Sequence, residues 1–360
     1  RGARVRSALA RGWRWLRAPA GRGPRLALVA ACALIVGLYA TNRDMGGQPD
    51  APRGDGVYRP VLARGDGHMM YLMARSTALD LDWVFDNDLA RFGDPWRQRV
   101  TRTGRKAIAH PIGPALVWTP LIWLAQLGAW LANALGARVE LHGYTLWHQR
   151  FVFLSSALAG CGAALLGHRL ARRLVGGGWA PAYAAIAILL GTSVTYYATH
   201  MPSYAHALDA LACAGFLAAW AGTVGRRDRR RWLALGALLG LAMLIRVQAV
   251  GMGAVVALEV AVETVRARGR WRDAARWWAG GAATLAIALV VFAPQLVEWQ
   301  LVFGSVRELP QGARYTRLAA PMIGELVFAP RNGWIPTTPL AGVGALGLAA
   351  LALRPRGAGG

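Results

Sequence analysis

The sequence has few charged residues, which make up only 16% of its 360 positions. A soluble globular domain carries about 25% charged residues, whereas here 55% of the residues are hydrophobic. This composition excludes an ordinary soluble domain. It predicts a protein that is buried in a membrane over most of its length.

Cysteine is also scarce. The three cysteines, Cys32, Cys161 and Cys213, all lie inside apolar runs and at no spacing that a metal site uses. They exclude a disulfide framework and a zinc knuckle. The sequence also lacks a Walker A loop, a dinucleotide-binding glycine fingerprint, a nucleophile elbow and a CxxC pair in a usable context.

Acids are scarce relative to bases, and lysine is nearly absent. There are 18 Asp and Glu residues against 41 Lys and Arg residues, for a net charge of +23, and Lys106 is the only lysine. Such a charge in a soluble protein would point to nucleic acid. Here the arginines stand between long apolar runs, so membrane orientation explains them better and no nucleic-acid partner is expected.

Long apolar runs are what the sequence does have. We predict an all-α polytopic membrane protein with about eight transmembrane helices, over 26–40, 151–166, 180–198, 204–224, 232–245, 249–265, 277–296 and 334–353. The first run has no small-x-small cleavage site, which favours an anchor over a signal peptide. A ninth run, 112–135, is broken by Pro114 and Pro120, and we predict a bent hairpin or an interfacial helix pair that does not cross.

Charge supports this count. If the ninth run does not cross, five basic segments share one side and hold 23 arginines against two acids. The positive-inside tendency then places both termini in the cytoplasm. The predicted organisation is a basic cytoplasmic tail (1–25), a transmembrane module (26–353) and a second tail (354–360). The module has a first outer loop over 43–150 and a second over 298–333.

The first outer loop contains GDGHMMYLMARSTALDLDWVFDNDLARF at 65–92, where apolar residues recur at helical spacing from Met69 to Leu79. We therefore predict an amphipathic helix lying on the membrane surface. Asp66 precedes this helix between two glycines. On spacing alone, an aspartate at that place is usually an N-cap.

Together with three later segments, this loop resembles the bacterial integral-membrane glycosyltransferases of the GT-C superfamily. That group includes the protein O-mannosyltransferases and the aminoarabinose-to-lipid-A transferases. The later segments are HPIGPAL at 110–116, THMPSYAH at 199–206, and an outer loop with the helix after it at 303–312 and 328–339. The order, sidedness and spacing of the segments carry the resemblance.

The resemblance implies a transferase that takes a sugar from a polyprenyl-phosphate carrier. The expected place of action is the outer face of the cytoplasmic membrane, and the acceptor (glycan, lipid or protein) is undetermined. In this superfamily an acidic residue just after the first span serves as the base, and the matching position is Asp66. The lipid bilayer and the lipid-linked sugar are the expected partners.

The carrier phosphate requires a cation, and Arg246 is the first candidate. It ends the apolar run 232–245, and a charge at membrane depth is a functional hypothesis by default. Its alternatives are snorkelling to the interface and pairing with a structural acid. Arg331 is a second candidate, against a plain solvated loop charge, and His206 is a third, with Asp209 one turn below to orient it.

Further polar residues are candidates for an acceptor site or a secondary site. They are Asp88, His68, His200 and His110. His200 and His206 could hold a divalent cation with Asp66 or His68, but their spacing matches no strong metal motif. We therefore predict no metal site and leave a requirement for a divalent cation open.

Two rival functions stay open at this stage. A transporter or lipid flippase would use broken helices around a midplane site and often shows internal repeats. No repeat at a fixed period is present, and the acids concentrate in one outer loop, which favours surface chemistry. A non-catalytic assembly subunit with the same fold is the third reading.

Overall fold

The computed structural model describes residues 22–42, 62–307, 310, 322–331 and 333–353. Within these residues the chain is helical, apart from turns and one isolated antiparallel bridge between Val100 and Lys106. The helices are α1 (Gly23–Thr41), α2 (Asp66–Arg75), α3 (Asp86–Phe92), α4 (Gly113–Ala134), α5 (Leu146–Val175), α6 (Trp179–Gly191), α7 (Ser193–Thr199), α8 (His206–Thr223), α9 (Arg229–Ile245), α10 (Gly253–Arg266), α11 (Trp271–Phe303), α12 (Ile323–Phe328), α13 (Trp334–Thr337) and α14 (Pro339–Ala352). The all-α polytopic prediction is confirmed. The predicted tails over 1–21 and 354–360, and the loop segments 43–61 and 311–321, lie outside the described residues.

Each predicted apolar run coincides with one helix or a pair of helices. Within the described ranges, five helical segments are long and apolar enough to cross a membrane: α1, α4, α5, Val247–Arg266 and α11. The pair α6 and α7 makes a sixth candidate, bent by 59° at Thr192. The predicted total of eight crossings stays a prediction, because α8, α9 and α14 are helical but fall outside this set.

Residues 112–135 differ from the prediction. They form one continuous helix, α4, rather than a bent hairpin or a helix pair. Pro114 lies in the first turn, where the missing N–H has no intrahelical partner in any case, and Pro120 is accommodated inside the helix. Pro114 is therefore compatible with the first turn of the helix, and Pro120 removes one internal hydrogen bond without dividing the helix.

The contacts of α4 lie at one end of the helical bundle. Ile112 donates its backbone N–H to the side chain of Gln295 at 2.8 Å, near the C-terminal end of α11. Further along, Trp147 at the start of α5 donates to the carbonyl oxygen of Ala125 at 2.8 Å. Although α4 is long enough to span, it packs along the bundle end where α11 finishes and α5 begins.

The C-terminus of α1 and the turn after α7 lie at the same end of the bundle. Tyr39 donates to the carbonyl oxygen of Arg150 at 2.5 Å, and Asn42 donates to that of Thr199 at 3.0 Å. We call this end, with α2, α3 and α4, the site end. The arginine-rich connections 169–173, 226–231 and 266–276 meet at the opposite end, which we call the basic end.

A turn in the first loop fastens the loop to the bundle. Thr101 donates to the carbonyl oxygen of Val302 at 2.7 Å, and Arg102 Nε donates to that of Phe303 at 2.7 Å. Arg105 donates to the carbonyl oxygen of Leu301 at 3.2 Å. The last carbonyls of a helix have no intrahelical partner, so these side chains cap α11 and place two cations at its negative end.

Candidate active site

Asp66 is the first residue of α2, at the site end. Gly65 occupies the N-cap position, and no side chain caps this helix, so Asp66 does not have the capping role that spacing alone suggests. Its side chain is 54% exposed. Its backbone N–H donates to the Tyr204 hydroxyl oxygen at 3.3 Å. The carboxylate is thus held at the surface on a fixed backbone.

Steric constraints explain why glycine stands on both sides of Asp66. Gly65 has a positive φ of 54°, and a Cβ there would lie 2.3 Å from the Tyr204 hydroxyl oxygen. A Cβ on Gly67 would lie 2.1 Å from Ser203 Oγ. Because of this close approach, the start of α2 lies directly against the turn that precedes α8.

His110 approaches the Asp66 carboxylate from the segment before α4. Its Nε2 atom lies 3.9 Å from Asp66 Oδ1, which is beyond a hydrogen bond. Burial lowers the pKa of His110, and the neighbouring carboxylate opposes that shift. The His110 imidazole is therefore largely neutral at neutral pH.

Arg246 follows the last residue of α9 and turns toward the start of α8. Its guanidinium donates to His206 Nδ1, and its Nε atom lies 3.8 Å from Asp209 Oδ2. A guanidinium only donates, so Nδ1 of His206 accepts and the ring proton is on Nε2. The pairing with Asp209 is the structural role considered from the sequence, yet 34% of the Arg246 side chain stays exposed.

Two tyrosines lie between the Asp66 backbone, which donates to the Tyr204 hydroxyl, and the His206 ring that accepts from Arg246. The Tyr197 ring lies 3.9 Å from the His206 ring, centroid to centroid, and the Tyr204 ring lies 5.8 Å from it. The contacts therefore run from Asp66 through Tyr204 and His206 to Arg246. We call these residues, with Tyr197, Asp209 and His110, the Asp66–Arg246 cluster.

Sequence reasoning assigned no role to Tyr197 and Tyr204. Tyr204 stands inside the polar turn 199–206 that supported the resemblance, and Tyr197 lies just before it. The signal was therefore present as a tyrosine-rich turn next to a predicted site residue. Their contacts with a histidine nine residues or fewer away depend on how α7, the turn and the start of α8 fold together.

Asp88 lies in a separate buried network. One carboxylate oxygen accepts from Arg75 at 2.9 Å, and the same guanidinium also pairs with Asp80. Burial raises the pKa of Asp88 to about 7, although Arg75 opposes the shift. This arrangement fastens α2 to α3, and the described contacts do not join it to Asp66.

The contacts described do not join the side chains of the remaining predicted residues directly to Asp66 or Arg246, although His200 reaches Tyr197 through Tyr196. His68 is buried, with Nε2 2.9 Å from the carbonyl oxygen of Gly93, and burial lowers its pKa. His200 stacks on Tyr196 and bonds the Thr199 hydroxyl at 2.8 Å. Arg331 is exposed in the turn between α12 and α13. Its role in phosphate binding stays a prediction.

A metal site has little support among the residues that the structure describes. No group of three or more His, Cys, Asp or Glu side chains there is arranged to hold an ion. The histidines considered for a divalent cation are in different surroundings, since His206 accepts from Arg246 and His68 is buried against Gly93. The Asp66–Arg246 cluster instead offers two carboxylates, those of Asp66 and Asp209, with one guanidinium and the imidazoles of His206 and His110.

These helices and this cluster define a polytopic α-helical membrane protein with a polar, aromatic site at one end of its bundle. Residues 125–298 match the family model described as dolichyl-phosphate-mannose-protein mannosyltransferase. This part of the chain is a GT-C-type glycosyltransferase domain, and the resemblance found in the sequence is confirmed. Searches of curated proteins and of solved structures found no match to the chain.

The matched residues run from the second half of α4 to near the end of α11. They include Tyr197, Tyr204, His206 and Arg246, whereas Asp66 precedes them. The cluster is therefore assembled from two parts of the chain: the guanidinium and the aromatic rings come from the matched domain, and the carboxylate comes from the loop before it. The match over residues 125–298 indicates a membrane glycosyltransferase.

Proposed function

We propose that the chain is an inverting glycosyltransferase that moves a sugar from a polyprenyl-phosphate carrier to an acceptor hydroxyl. Asp66 is the base and Arg246 is the main partner of the carrier phosphate. The observation that carries this proposal is the contact path from Asp66 through Tyr204 and His206 to Arg246. Through the Asp66 backbone it brings a residue with an exposed carboxylate and one with a partly exposed guanidinium to the same end of the bundle.

The reaction suits these groups. The acceptor oxygen attacks the anomeric carbon while its proton passes to the Asp66 carboxylate, and the bond from that carbon to the phosphate oxygen breaks. General-base assistance of this kind contributes about 10²- to 10⁴-fold. A lipid phosphate is a good leaving group, so no general acid is needed. The charge that gathers on it is stabilised by Arg246, which can bind phosphate oxygens bidentately.

His206 has a supporting role in this proposal. Because its Nδ1 atom accepts from Arg246, its Nε2–H is left as a neutral donor beside the guanidinium. It can hydrogen-bond a phosphate oxygen without adding a second full charge. Asp209 Oδ2 lies 3.8 Å from Arg246 Nε and so pairs with the guanidinium on its Nε side.

The outer face of the cytoplasmic membrane is the proposed place of action. The basic end collects the arginine-rich connections, and positively charged loops favour the cytoplasm. The site end, where the cluster lies, is the opposite end of the same helices. Both termini are accordingly proposed to be cytoplasmic.

The test is sugar transfer from a radiolabelled polyprenyl-phosphate sugar in proteoliposomes. Asp66→Asn removes the base without changing the size of the side chain and is expected to lower kcat at least 100-fold. Glu140→Gln is the matched control, because Glu140 is 51% exposed and also lies beside a histidine, His142, at 2.8 Å. An Asp66→Asn protein that folds and transfers as well as wild type would refute this mechanism.

A further inference from the structure

The space between base and leaving group is constrained by the chemistry proposed above, on which this inference rests. In an inverting displacement the attacking oxygen and the departing oxygen lie on opposite faces of the anomeric carbon. The transferred sugar must therefore lie between Asp66 and the phosphate held by Arg246. The side chains between Asp66 and Arg246 are therefore the candidates for contacting the sugar.

Aromatic rings line this space. The Tyr204 hydroxyl oxygen accepts from the Asp66 backbone N–H, and His206 Nδ1 accepts from Arg246. Tyr197 packs against both rings, at 3.9 Å from His206 and 5.6 Å from Tyr204. Three rings in mutual contact thus lie between the Asp66 backbone and the Arg246 guanidinium.

These rings are partly exposed at the site end. A fully buried cluster of this kind would serve packing alone, whereas exposed ring surface between a base and a cation is available to a ligand. The rings carry no net charge, because the His206 imidazole accepts from Arg246 and is neutral. An uncharged surface between two opposite charges suits an uncharged group.

We propose that Tyr197, Tyr204 and His206 form the surface on which the transferred sugar lies. The electron-rich faces of the rings attract the weakly positive C–H face of a sugar. They also attract the positive charge that develops at the anomeric carbon in an oxocarbenium-like transition state. The surface therefore contributes to binding of the sugar and to the rate of its transfer, and it acts on the sugar rather than on the lipid.

The deciding experiment measures binding without turnover. Purified protein in detergent is titrated with sugar-free polyprenyl phosphate and with polyprenyl-phosphate-mannose, -glucose and -arabinose. Wild type is expected to bind at least one sugar-bearing lipid more tightly than the sugar-free carrier. Tyr197→Leu should lower the affinity for the sugar-bearing lipid about two- to tenfold and leave the affinity for the sugar-free carrier unchanged.

Two variants keep this test specific. Tyr197→Phe retains the ring and should bind within twofold of wild type, which separates the ring from its hydroxyl. Tyr183→Leu is the matched control, because Tyr183 stacks on Trp179 at 5.4 Å near the start of α6, far from the site end. It should bind every lipid as wild type does.

The possible results distinguish a failure of this inference from a failure of the proposed function. If Tyr197→Leu loses affinity equally for the sugar-bearing lipid and the sugar-free carrier, or loses affinity for neither, the sugar-surface inference is overturned. The proposed function is not affected by that result. Wild type that binds no lipid of the panel overturns the proposed function and the inference together. In transfer assays, a lower kcat for Tyr197→Leu with Tyr197→Phe near wild type is the expected kinetic counterpart.

Discussion

The backbone N–H of Asp66 donates to the Tyr204 hydroxyl oxygen at 3.3 Å, although 138 positions separate the two residues in the sequence. One partner precedes the family-matched residues 125–298 and the other lies within them. The position of the proposed base is thus set by a residue of the transferase domain. Substitutions on either side of this contact should alter the same reaction.

Gly67→Ala is expected to displace the proposed base. The new Cβ would lie 2.1 Å from Ser203 Oγ and 2.9 Å from the Ser203 carbonyl carbon, so α2 must move away from the turn before α8. Overpacking of this kind costs about 1–3 kcal/mol. We expect a lower thermal midpoint in detergent and at least a tenfold lower transfer rate.

The double variant Gly67→Ala/Ser203→Gly tests that steric explanation. It removes the Ser203 side-chain atoms at 2.1 and 2.6 Å and leaves only the backbone contact. Part of the lost activity should return, with a favourable coupling between the two changes. A Gly67→Ala protein with full activity would show that the close contact does not position Asp66.

Arg246→Lys keeps the positive charge but loses the planar fork that matches phosphate oxygens. Hydrogen bonds to charged groups are worth about 1.5–3 kcal/mol, so we expect roughly 10- to 100-fold weaker inhibition by sugar-free polyprenyl phosphate. Arg227→Lys at the basic end, where Arg227 pairs with Asp273 at 3.0 Å, is the control. An unchanged inhibition constant in Arg246→Lys would remove Arg246 from the phosphate site.

Asp88 should make the stability of the protein depend on pH. Burial raises the pKa of this carboxyl from 3.8 to about 7, while Arg75 opposes the shift and Asp80 adds to it. The folded state therefore holds a proton that the unfolded state releases between about pH 4 and 7. The free energy of unfolding falls as pH rises through that window, by at most about 1.4 kcal/mol per pH unit, and levels off above it.

Asp88→Asn removes this titration and is expected to flatten that part of the stability curve. The measurement is the thermal midpoint at pH 5 to 8, compared with wild type, because other groups titrate in both proteins. Asp82→Asn, an exposed aspartate of the same loop, is the matched control. If the Asp88→Asn and wild-type curves run parallel over this range, Asp88 does not hold the proton.

Glu259 should matter for stability and not for catalysis. At the basic end it pairs with the buried Arg231 and also accepts from Trp220 at 2.8 Å and from the Gly225 N–H at 3.0 Å. Glu259→Ala leaves a guanidinium that is only 1% exposed without its partner, at a cost of about 3–5 kcal/mol.

We therefore expect a lower thermal midpoint for Glu259→Ala, with the transfer rate per folded molecule unchanged. Replacing both partners, as Arg231→Met/Glu259→Met, should recover much of the midpoint, because no buried charge then remains. A loss of transfer without a loss of stability would show that the basic end takes part in the reaction.

Hydrophobic run length and arginine placement determined the class of this protein from its sequence alone. Each predicted apolar run coincides with described helix, since a segment in lipid must satisfy its backbone hydrogen bonds internally. The family resemblance was also visible in the sequence, and the match over residues 125–298 confirms a GT-C-type domain there. The apolar run 112–135 was identified, but its prolines predicted a break that α4 does not have.

Which polar residues stand together was decided by the tertiary structure. Asp66, His68 and Asp88 belong to the same loop and could not be distinguished by their neighbours in the sequence. In the fold, His68 and Asp88 are buried, whereas the Asp66 side chain is exposed beside Tyr204. The fold also joined Tyr197 and Tyr204 to the cluster. Local periodicity and charge are properties of neighbouring residues and can be read along the chain. Contacts between α2, the turn before α8 and the end of α9 depend on how distant helices pack, which no local pattern records.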